Sequence, residues 1–585
     1  MTEVFDALYQ ESKGGNKFHS LMSIITNRDN ILLAFRNIKN NKGSKTKGTT
    51  SQTIEDIAKW STDEMVDNVR YRLNRYKPHS VRRVEIPKPN GKTRPLGIPT
   101  IEDRLIQQCI KQVLEPICEA KFHPHSYGFR PERSAEHAIS RMSFLSQRST
   151  FHYVVDMDIK GFFDNVNHGK LLKQLWSMGI QDKTLVSIIS AMLKAEIEGI
   201  GIPTKGTPQG GILSPLLANV ALNELDWWIS NQWETKETSY PYKTPTCKQS
   251  ALRRTKLKEM FIVRYADDFK IMCKDYETAR RAFIATRQWL KERLSLEISE
   301  EKSQIVNLRK RYSDFLGVKI KVVPRRKKRV AVSHISDKAG EQIQKALLER
   351  VKSLQRNPTI QEVGKFNAYV LGVHNYYKIA TRVNLDFNRI AFLVSKSLYN
   401  RLKGNRSRDG TKSLAYRRFY GMYNHKTIYI SGIALFPIWG IKMRPPMGFS
   451  RNICRYTKAG RQKIHENLRL INHKILKYLL KNPIPGQSTE YNDNRISLYV
   501  GQNGKCAITK CELEIGQMEA HHKVPRSLGG TDKYDNLLFV TTDVHKLIHA
   551  TNIETIQYYQ QKLGLEEKAI RNVNKLRILA GNCEL

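Results

Sequence analysis

The chain has 585 residues, a length that predicts three or four domains with well-buried cores. Its 98 Lys and Arg outnumber its 55 Asp and Glu and give a formal net charge of +43, far more than solubility requires. This charge favours a polyanionic partner, RNA or DNA, and binding to either should weaken steeply with salt.

Cysteine content and hydropathy exclude two further classes of protein. The eight cysteines are scattered at irregular intervals, which excludes a disulfide scaffold and indicates a reducing compartment. The amino terminus is acidic and lacks an apolar core, and no stretch approaches about 18 uninterrupted apolar residues. We therefore expect no membrane association and a nucleic-acid-bound protein in the cytoplasm of a bacterium, with an organelle as the alternative.

Two basic elements come first in chain order. Residues 40–48, Asn-Asn-Lys-Gly-Ser-Lys-Thr-Lys-Gly, form a loop between two helical patterns; such a loop is a linker or, equally, a site for a nucleic-acid backbone. Residues 82–94 predict a β-hairpin that turns at Asn90-Gly91. The basic face of this hairpin is either solvated or a clamp for a triphosphate, in which Arg supplies planar donors and Lys a point charge.

An acidic strand and a glycine-rich loop follow. Residues 151–157 alternate apolar and polar side chains, and Asp158 comes where the apolar run ends. The loop 206–211, Gly-Thr-Pro-Gln-Gly-Gly, leads to Ser214, predicted as an N-cap, and to Pro215 at the first helical position. Glycines let the backbone approach a ligand closely, and a helix start offers free N–H groups.

The most informative segment is residues 265–268, Tyr-Ala-Asp-Asp, between two apolar runs. It predicts a β-hairpin with two carboxylates at its tip, which repel each other unless a divalent ion binds there. Two-metal phosphoryl transfer needs carboxylates from separate strands around ions about 3.5 to 4 Å apart. Asp158, Asp267 and, as the weaker third, Asp268 fit that requirement.

Helical patterns dominate beyond Gly317. The basic run 324–329 is interpreted as the boundary at which strands give way to helices. Apolar residues then recur at helical spacing, which predicts an α-helical domain with one core-facing stripe. The stripe comprises Ile343, Ala346, Leu347, Val351 and Leu354.

In this order, the segments resemble the blocks of a reverse transcriptase. The amino-acid sequences of residues 206–211 and 265–268 resemble those of the group II intron-encoded class. The resemblance covers nearly the full chain. It implies that Asp158, Asp267 and Asp268 hold Mg²⁺. The other roles that it implies are selection of deoxynucleotides by Phe163, protonation of the leaving pyrophosphate by Lys302, and contacts to the incoming nucleotide from Lys88, Arg94 and Gln209.

The carboxy-terminal part carries an independent set of histidines. His545 and His549 are four residues apart and lie on one helical face, and His521 on a strand can complete a metal site. The neighbouring His522 points away from the ion and is predicted as the base that takes a proton from water. Asn536 should orient His522 and brace the loop.

This tail resembles an HNH nuclease, which implies Mg²⁺ or Mn²⁺ at the histidines to steady the scissile phosphate. A structural zinc finger is the alternative. The tail departs from the HNH pattern because Cys506 and Cys511 are separated by four residues rather than two, and no second cysteine pair accompanies His545. Zinc at Cys506 and Cys511 would therefore lack two ligands.

The sequence thus predicts an α+β multidomain protein: a right-hand polymerase with fingers, palm and helical thumb, then a basic DNA-binding region and a ββα-metal HNH domain. The predicted limits are 1–60 for an amino-terminal RNA-binding block, 61–325 for fingers and palm, 326–430 for the thumb (domain X, maturase), 431–490 for the DNA-binding region and 491–585 for the HNH endonuclease.

The function implied is that of a mobile-intron protein, which assists RNA splicing, nicks target DNA and copies the RNA into DNA. Its partners would be group II intron RNA in a ribonucleoprotein, target DNA and deoxynucleoside triphosphates, with the protein a monomer or dimer. One alternative is a non-enzymatic RNA-binding splicing cofactor, against which the three intact acids argue. The other is a reverse transcriptase for defence or diversification, against which the nuclease-like tail and the amino-terminal block argue.

Overall fold

The computed structural model describes residues 1–87, 91, 93–148, 150–208, 210–450, 452–464 and 472–585. Its helices are α1 (Thr2–Lys13), α2 (Met22–Ile25), α3 (Arg28–Lys39), α4 (Ile54–Ile57), α5 (Thr62–Asn74), α6 (Ile101–Lys121), α7 (Ala135–Arg148), α8 (Phe162–Asn165), α9 (His168–Ser177), α10 (Lys183–Leu193), α11 (Ser214–Asn231), α12 (Pro245–Leu252), α13 (Tyr276–Trp289), α14 (Asp337–Arg356), α15 (Ile360–Tyr377), α16 (Val383–Arg401), α17 (Leu414–Tyr420), α18 (Lys458–Ile464), α19 (His473–Lys481), α20 (Thr489–Gly501), α21 (Thr542–His549), α22 (Ile553–Leu563) and α23 (Glu567–Leu579).

The strands are short and form small antiparallel sheets, so the mixed α and β architecture is confirmed. They are β1 (Arg82–Pro87), β2 (Thr93–Ile98), β3 (Tyr153–Met157), β4 (Met260–Tyr265), β5 (Asp268–Cys273), β6 (Gln304–Asn307), β7 (Ser313–Phe315), β8 (Val318–Arg325), β9 (Lys328–Ile335), β10 (Arg406–Ser407), β11 (Tyr429–Ile430), β12 (Ile433–Ala434), β13 (Met518–His522) and β14 (Leu537–Thr541).

Contacts divide the chain into two compact units that interleave along the sequence. The first unit comprises residues 1–121, 168–217 and 452–585, and the second comprises residues 122–167 and 218–451. Because the chain passes between the units repeatedly, they do not coincide with the five predicted domains, whose limits stay predictions. In the described part of the chain, no helix is long and apolar enough to cross a membrane.

A four-stranded antiparallel sheet in the order β4-β5-β3-β6 lies in the second unit. Strands β4 and β5 form the hairpin predicted from residues 265–268, with Tyr265 opposite Asp268. Their apolar residues are almost completely buried, because helices α7 and α13 pack against the sheet. A well-packed sheet therefore carries the acidic tip.

The predicted change from strands to helices at residues 324–329 is wrong. These residues lie in the turn and adjoining ends of the β8–β9 hairpin, and strands continue to Ile335. The apolar residues of β8 alternate at Val318, Ile320 and Val322, and these bury one face, so the basic run is an exposed hairpin tip. The predicted domain limit at 325/326 consequently falls within that turn.

Helices α14, α15 and α16 pack together after β9. Helix α14 begins after Ser336, whose side chain accepts a hydrogen bond from the amide of Ala339. Its buried residues are Ala339, Ile343, Leu347, Val351 and Leu354. Four of the five residues of the predicted stripe are thus buried, Ala346 is only partly buried, and Ala339 was not predicted. The helical character predicted for this segment is confirmed.

In the first unit, the glycine-rich loop leads into α11 one residue earlier than predicted. Ser214 is the first helical residue rather than the cap, and its Oγ donates a hydrogen bond to the Pro208 carbonyl at 2.7 Å. Gly210 has a φ of +126°, and a Cβ there would lie 2.4 Å from the carbonyl oxygen of Gly97 on β2. Glycine at 210 thus permits the loop to pack against the β1–β2 hairpin.

The same unit joins the amino-terminal helices to the carboxy-terminal segment. On α20, Asp493 forms ion pairs with Arg36 and Lys39 of α3, and Lys39 also donates to Asn494 at 2.8 Å. Glu55 accepts from Lys45 of the basic loop at 2.9 Å and pairs with Lys533 at 3.1 Å. The basic loop and the tail are therefore held in one compact body.

Candidate active sites

The three acids predicted for a polymerase site lie together at the edge of the four-stranded sheet. Met157 on β3 pairs with Phe269 on β5, so the register places Asp158 opposite Asp268 on the adjacent strand. Neighbouring strands are about 5 Å apart, and Asp267 is the next residue along the turn. The register therefore places Asp158 and Asp268 on adjacent strands, with Asp267 beside them in the turn.

A buried arginine fixes the turn that carries Asp267. Ala266 has a φ of +58°, and its carbonyl accepts a hydrogen bond from Arg264 at 2.8 Å. The Arg264 guanidinium is 1% exposed and binds both carboxylate oxygens of Asp226 on α11. A Cβ at Gly128 would lie 2.3 Å from the Ala266 amide nitrogen, so only glycine lets that segment pass beneath the turn.

Replacing Arg264 with Met should lower the free energy of unfolding by about 3 to 5 kcal/mol, because Asp226 is left buried and charged without a partner. The measurement is a denaturant titration with circular dichroism. Arg293→Met is the matched control, since the pair of Arg293 with Glu224 at 2.6 Å is exposed and contributes at most about 1 kcal/mol. Equal losses in the two variants would contradict the assigned role of Arg264.

A buried lysine lies behind the acids and was missed from the sequence. Lys270 is 3% exposed, forms an ion pair with Asp156 on β3 and lies 3.4 Å from Asp268. Part of the Asp268 side chain is exposed, yet burial raises its pKa to about 6. The charges of Asp156 and Asp267 also raise this pKa, whereas Lys270 lowers it. The sequence did contain a signal for this pair, because Asp156 and Lys270 are charged residues within otherwise apolar strands.

Lys302 lies beside Asp158. Its Nζ donates to Asp158 Oδ2 at 3.1 Å, and the loop holding it is tied to the strand end by a hydrogen bond from the Ser299 amide to the Asp158 carbonyl at 2.7 Å. The Asp158 amide donates to Ser303 Oγ at 3.2 Å. The position agrees with a proton donor next to the acids, and that role stays a prediction.

The remaining predicted polymerase residues are placed as follows. Phe163 on α8 is half-buried and contacts the rings of Phe162 and Phe129, with centroids 5.4 and 6.4 Å away. Arg94 is exposed on β2, opposite Ile86, in the first unit. Lys88 and Gln209 lie outside the described residues. The structure therefore groups Lys302 with the acids and leaves the nucleotide contacts as predictions.

The acids have the chemistry that Mg²⁺ requires. Carboxylate oxygens are hard ligands, and carboxylates from different chain segments can share ions without competing thiol or imidazole ligands. Neither Asp158 nor Asp267 is fully buried, so ligand and substrate can reach them. The residues present fit Mg²⁺.

Three histidines of the tail converge between β13 and α21. The ligand nitrogens of His521, His545 and His549 all lie within 4.8 Å of one another, the one such cluster of three or more metal-binding side chains found among the described residues. His521 is 1% exposed, and its buried Nε2 has no hydrogen-bond partner among the residues that the structure describes. Such an orphaned nitrogen fits a metal ligand.

The pKa values of these three histidines favour neutral rings, whose nitrogens can bind a metal ion. Burial, with the neighbouring histidines acting in the same direction, lowers the pKa of His521 to about 3. Burial also lowers the pKa of His545 and of His549. His545 Nδ1 lies 2.9 Å from Glu519 Oε2. Neutral imidazoles carry free lone pairs at neutral pH, as binding of a divalent ion requires.

His522 is held by a different carboxylate, which the sequence did not indicate. Its Nε2 lies 2.8 Å from Asp532 Oδ1, and its ring stacks on Tyr491 with centroids 5.4 Å apart. Burial acts to raise the pKa of Asp532, but hydrogen bonds from His522, Ser488 and Arg526 lower it to about 2. An ionised carboxylate only accepts, so Nε2 carries the proton and Nδ1 of His522 is the basic nitrogen.

Asn536 braces the loop between the two strands of the tail. Its Nδ2 donates to the carbonyls of Val524 and Thr531 at 3.0 and 2.9 Å, and its Oδ1 accepts from the Val524 amide at 3.0 Å. The observed partner of the His522 ring is Asp532 and not Asn536. This corrects the expectation that Asn536 orients His522.

The two cysteines of the tail differ in exposure. Cys506 is buried and Cys511 is exposed, and the Cys506 amide donates to the Cys511 carbonyl at 2.9 Å. Thr509 Oγ1 lies 2.8 Å from Cys511 Sγ. In the part of the chain that the structure describes, neither thiol joins a cluster of three metal-binding groups, so two cysteines alone do not fit a structural zinc site.

Comparison with known proteins identifies the family of this chain. Residues 86–320 match the family described as reverse transcriptase (RNA-dependent DNA polymerase). The group II intron-encoded protein LtrA of Lactococcus lactis subsp. cremoris is 30% identical over 469 residues, which cover 67% of this chain and 76% of that protein. Protein YkfC of Escherichia coli is 30% identical over 306 residues, 49% of this chain and 80% of that protein.

A fungal relative extends the pattern. The putative COX1/OXI3 intron 1 protein of Saccharomyces cerevisiae is 28% identical over 359 residues, 55% of this chain and 41% of that protein. The matched reverse transcriptase segment contains the sheet with Asp158, Asp267 and Asp268. The match to LtrA covers about three quarters of that protein. The chain therefore belongs to the group II intron-encoded reverse transcriptase and maturase family.

Proposed function

We propose that this protein copies its intron RNA into DNA by two-metal phosphoryl transfer at Asp158, Asp267 and Asp268. The observation that carries the proposal is the meeting of these acids at one sheet edge, within the matched reverse transcriptase segment. Mg²⁺ held there would activate the primer 3′-hydroxyl and stabilise the leaving pyrophosphate.

Other side chains would complete this reaction. Lys302, 3.1 Å from Asp158, would donate a proton to the departing pyrophosphate. Phe163 would exclude a ribose 2′-hydroxyl by steric contact. Arg94, with Lys88 and Gln209, would bind the incoming deoxynucleoside triphosphate through charge-assisted hydrogen bonds. Extension of a DNA primer on an RNA template by the purified protein tests the proposal, and no extension with Mg²⁺ present would refute it.

We further propose that the tail nicks the target DNA. His521, His545 and His549 would hold Mg²⁺ or Mn²⁺ against the scissile phosphate, and His522 Nδ1 would take a proton from the attacking water. The orphaned Nε2 of His521 supports a bound ion. The nick would expose the 3′ end at which reverse transcription begins, which is target-primed intron mobility.

The third proposed activity is maturase function through binding of the intron RNA. The high positive charge supports it, as does the exposure of Lys42 and Lys47 on the basic loop at residues 40–48. Lys45 in the same loop pairs with Glu55. Lys42 and Lys47 form no ion pair with another described residue, so they are the lysines to vary.

Replacing both Lys42 and Lys47 with Gln should weaken intron RNA binding and splicing but leave copying of homopolymer templates nearly unchanged. Loss of two phosphate contacts should reduce the slope of log affinity against log salt by about 1.5. The measurement is RNA binding across a salt series beside a splicing assay. Lys568→Gln with Lys575→Gln, two exposed residues of α23, is the control. Equal losses in splicing and copying would make the loop a general polymerase element.

A further inference from the structure

An open groove in the second unit exposes large apolar side chains that have no role in either candidate site. It has a volume of about 630 Å³ and lies among α16, α17 and the segments 421–425 and 439–442. Phe392 is 78% exposed and Met422 is 80% exposed, and nearly half of Trp439 is in contact with solvent. Exposed apolar groups clustered in a groove indicate a binding surface.

Three aromatic rings at one end of this groove contact one another. The centroids of His425 and Trp439 are 5.2 Å apart, and Tyr423 lies 5.4 Å from His425 and 6.4 Å from Trp439. The chain is anchored beside Trp439, because the Ile438 carbonyl bonds to His374 Nε2 at 2.8 Å in the core. A ring held this way loses little conformational entropy when a ligand stacks on it.

The surroundings of the groove are strongly cationic. Between residues 387 and 450 the sequence has twelve Lys and Arg and a single acid, Asp409. Lys442 lines the groove with its Nζ 3.6 Å from Met422 Sδ, and the Arg418 guanidinium lies 5.5 Å from the Phe419 ring. Among the described lining residues of this groove, none is acidic.

Aromatic rings combined with cations fit one class of ligand. Single-stranded nucleic acid offers flat base faces for stacking and phosphates for the lysines and arginines. A duplex hides its base faces, whereas the loops of a folded RNA present unstacked bases. An acidic protein would pair with the cations and leave the ring faces unused.

We propose that this groove binds unpaired bases in a loop of the intron RNA, by stacking on Trp439 and Phe392 with Lys442 at the adjacent phosphate. The proposal rests on the proposed RNA partner and adds the recognition element to it. The groove supplies base stacking, which salt does not screen, beside the purely electrostatic contacts of the basic loop.

The test is fluorescence anisotropy with the full-length protein and three labelled probes: a single-stranded RNA, the same RNA in a duplex, and single-stranded DNA of the same sequence. Trp439→Ala and Phe392→Ala should each weaken single-stranded RNA binding about tenfold, with an unchanged salt slope and little effect on the duplex. Lys442→Gln should instead reduce the salt slope by about 1. Tyr71→Ala is the matched control, an aromatic residue 83% exposed in the first unit.

Equal binding of single-stranded RNA by wild type and both alanine variants would overturn the proposal. An equal loss of affinity for the duplex would also overturn it, because this result would indicate either misfolding or a surface that recognises RNA shape. Circular dichroism of each variant distinguishes these two causes. Tighter binding of single-stranded DNA than RNA would also overturn the assignment to RNA. Primer extension by the wild-type preparation is measured in parallel, so that a failed groove and a failed polymerase are told apart.

Discussion

Asp267→Asn should abolish extension of a DNA primer on an RNA template, with a loss of about 10³-fold or more in rate. Asp267 lies in the turn between β4 and β5, next to Asp158 and Asp268. The Asn side chain replaces a charged carboxylate, which is proposed to bind the catalytic ions, with a neutral amide. Asn keeps the shape of the side chain, and the turn stays held by Arg264. The measurement is single-nucleotide extension at saturating Mg²⁺.

The control for this variant is Asp67→Asn, an exposed residue of α5 in the first unit. It removes one negative charge without touching the acidic edge and should copy at the wild-type rate. Synthesis by Asp267→Asn at the wild-type rate would refute the polymerase assignment. Loss of template binding in the same variant would show that the substitution disturbs more than the acids.

His522→Ala should abolish nicking of target DNA while primer extension continues. The Asp532 carboxylate holds the His522 ring with Nδ1 as its basic nitrogen, and removal of a general base costs about 10²- to 10⁴-fold. The measurement is nicking of a labelled DNA target by the ribonucleoprotein, beside primer extension on a pre-nicked substrate.

Two companion variants sharpen the nuclease test. His549→Ala should also abolish nicking but, unlike His522→Ala, should weaken Mn²⁺ binding measured by calorimetry, because His549 belongs to the histidine cluster. His19→Ala, an exposed histidine of the same unit, is the control. Normal nicking by His522→Ala would show that the base is misassigned.

The sequence predicted the elements whose residues carry a local pattern. The hairpin at 265–268 follows from apolar runs on both sides of a polar break, and the helical stripe of α14 follows from its spacing. The prediction for residues 324–329 was wrong because a run of basic residues is also typical of a linker. The alternation of Val318, Ile320 and Val322 indicates a strand, which the structure shows as part of the β8–β9 hairpin.

What the sequence could not predict depends on contacts far apart along the chain. Arg264 pairs with Asp226 across 38 residues, and Lys270 pairs with Asp156 across 114. A charged residue in an apolar strand is visible in the sequence, but the identity of its partner is not. Asp532 as the partner of His522 also depends on how the loop folds back. Burial makes such pairs strong, and burial is a property of the whole fold.

The central claim is that Asp158, from the end of β3, and Asp267, from the β4–β5 turn, bind the same divalent ions. Anomalous diffraction from crystals of the protein soaked in Mn²⁺ tests it most directly. The account predicts a peak with carboxylate oxygens of both residues within about 2.5 Å. A Mn²⁺ ion bound by one residue and remote from the other would contradict it.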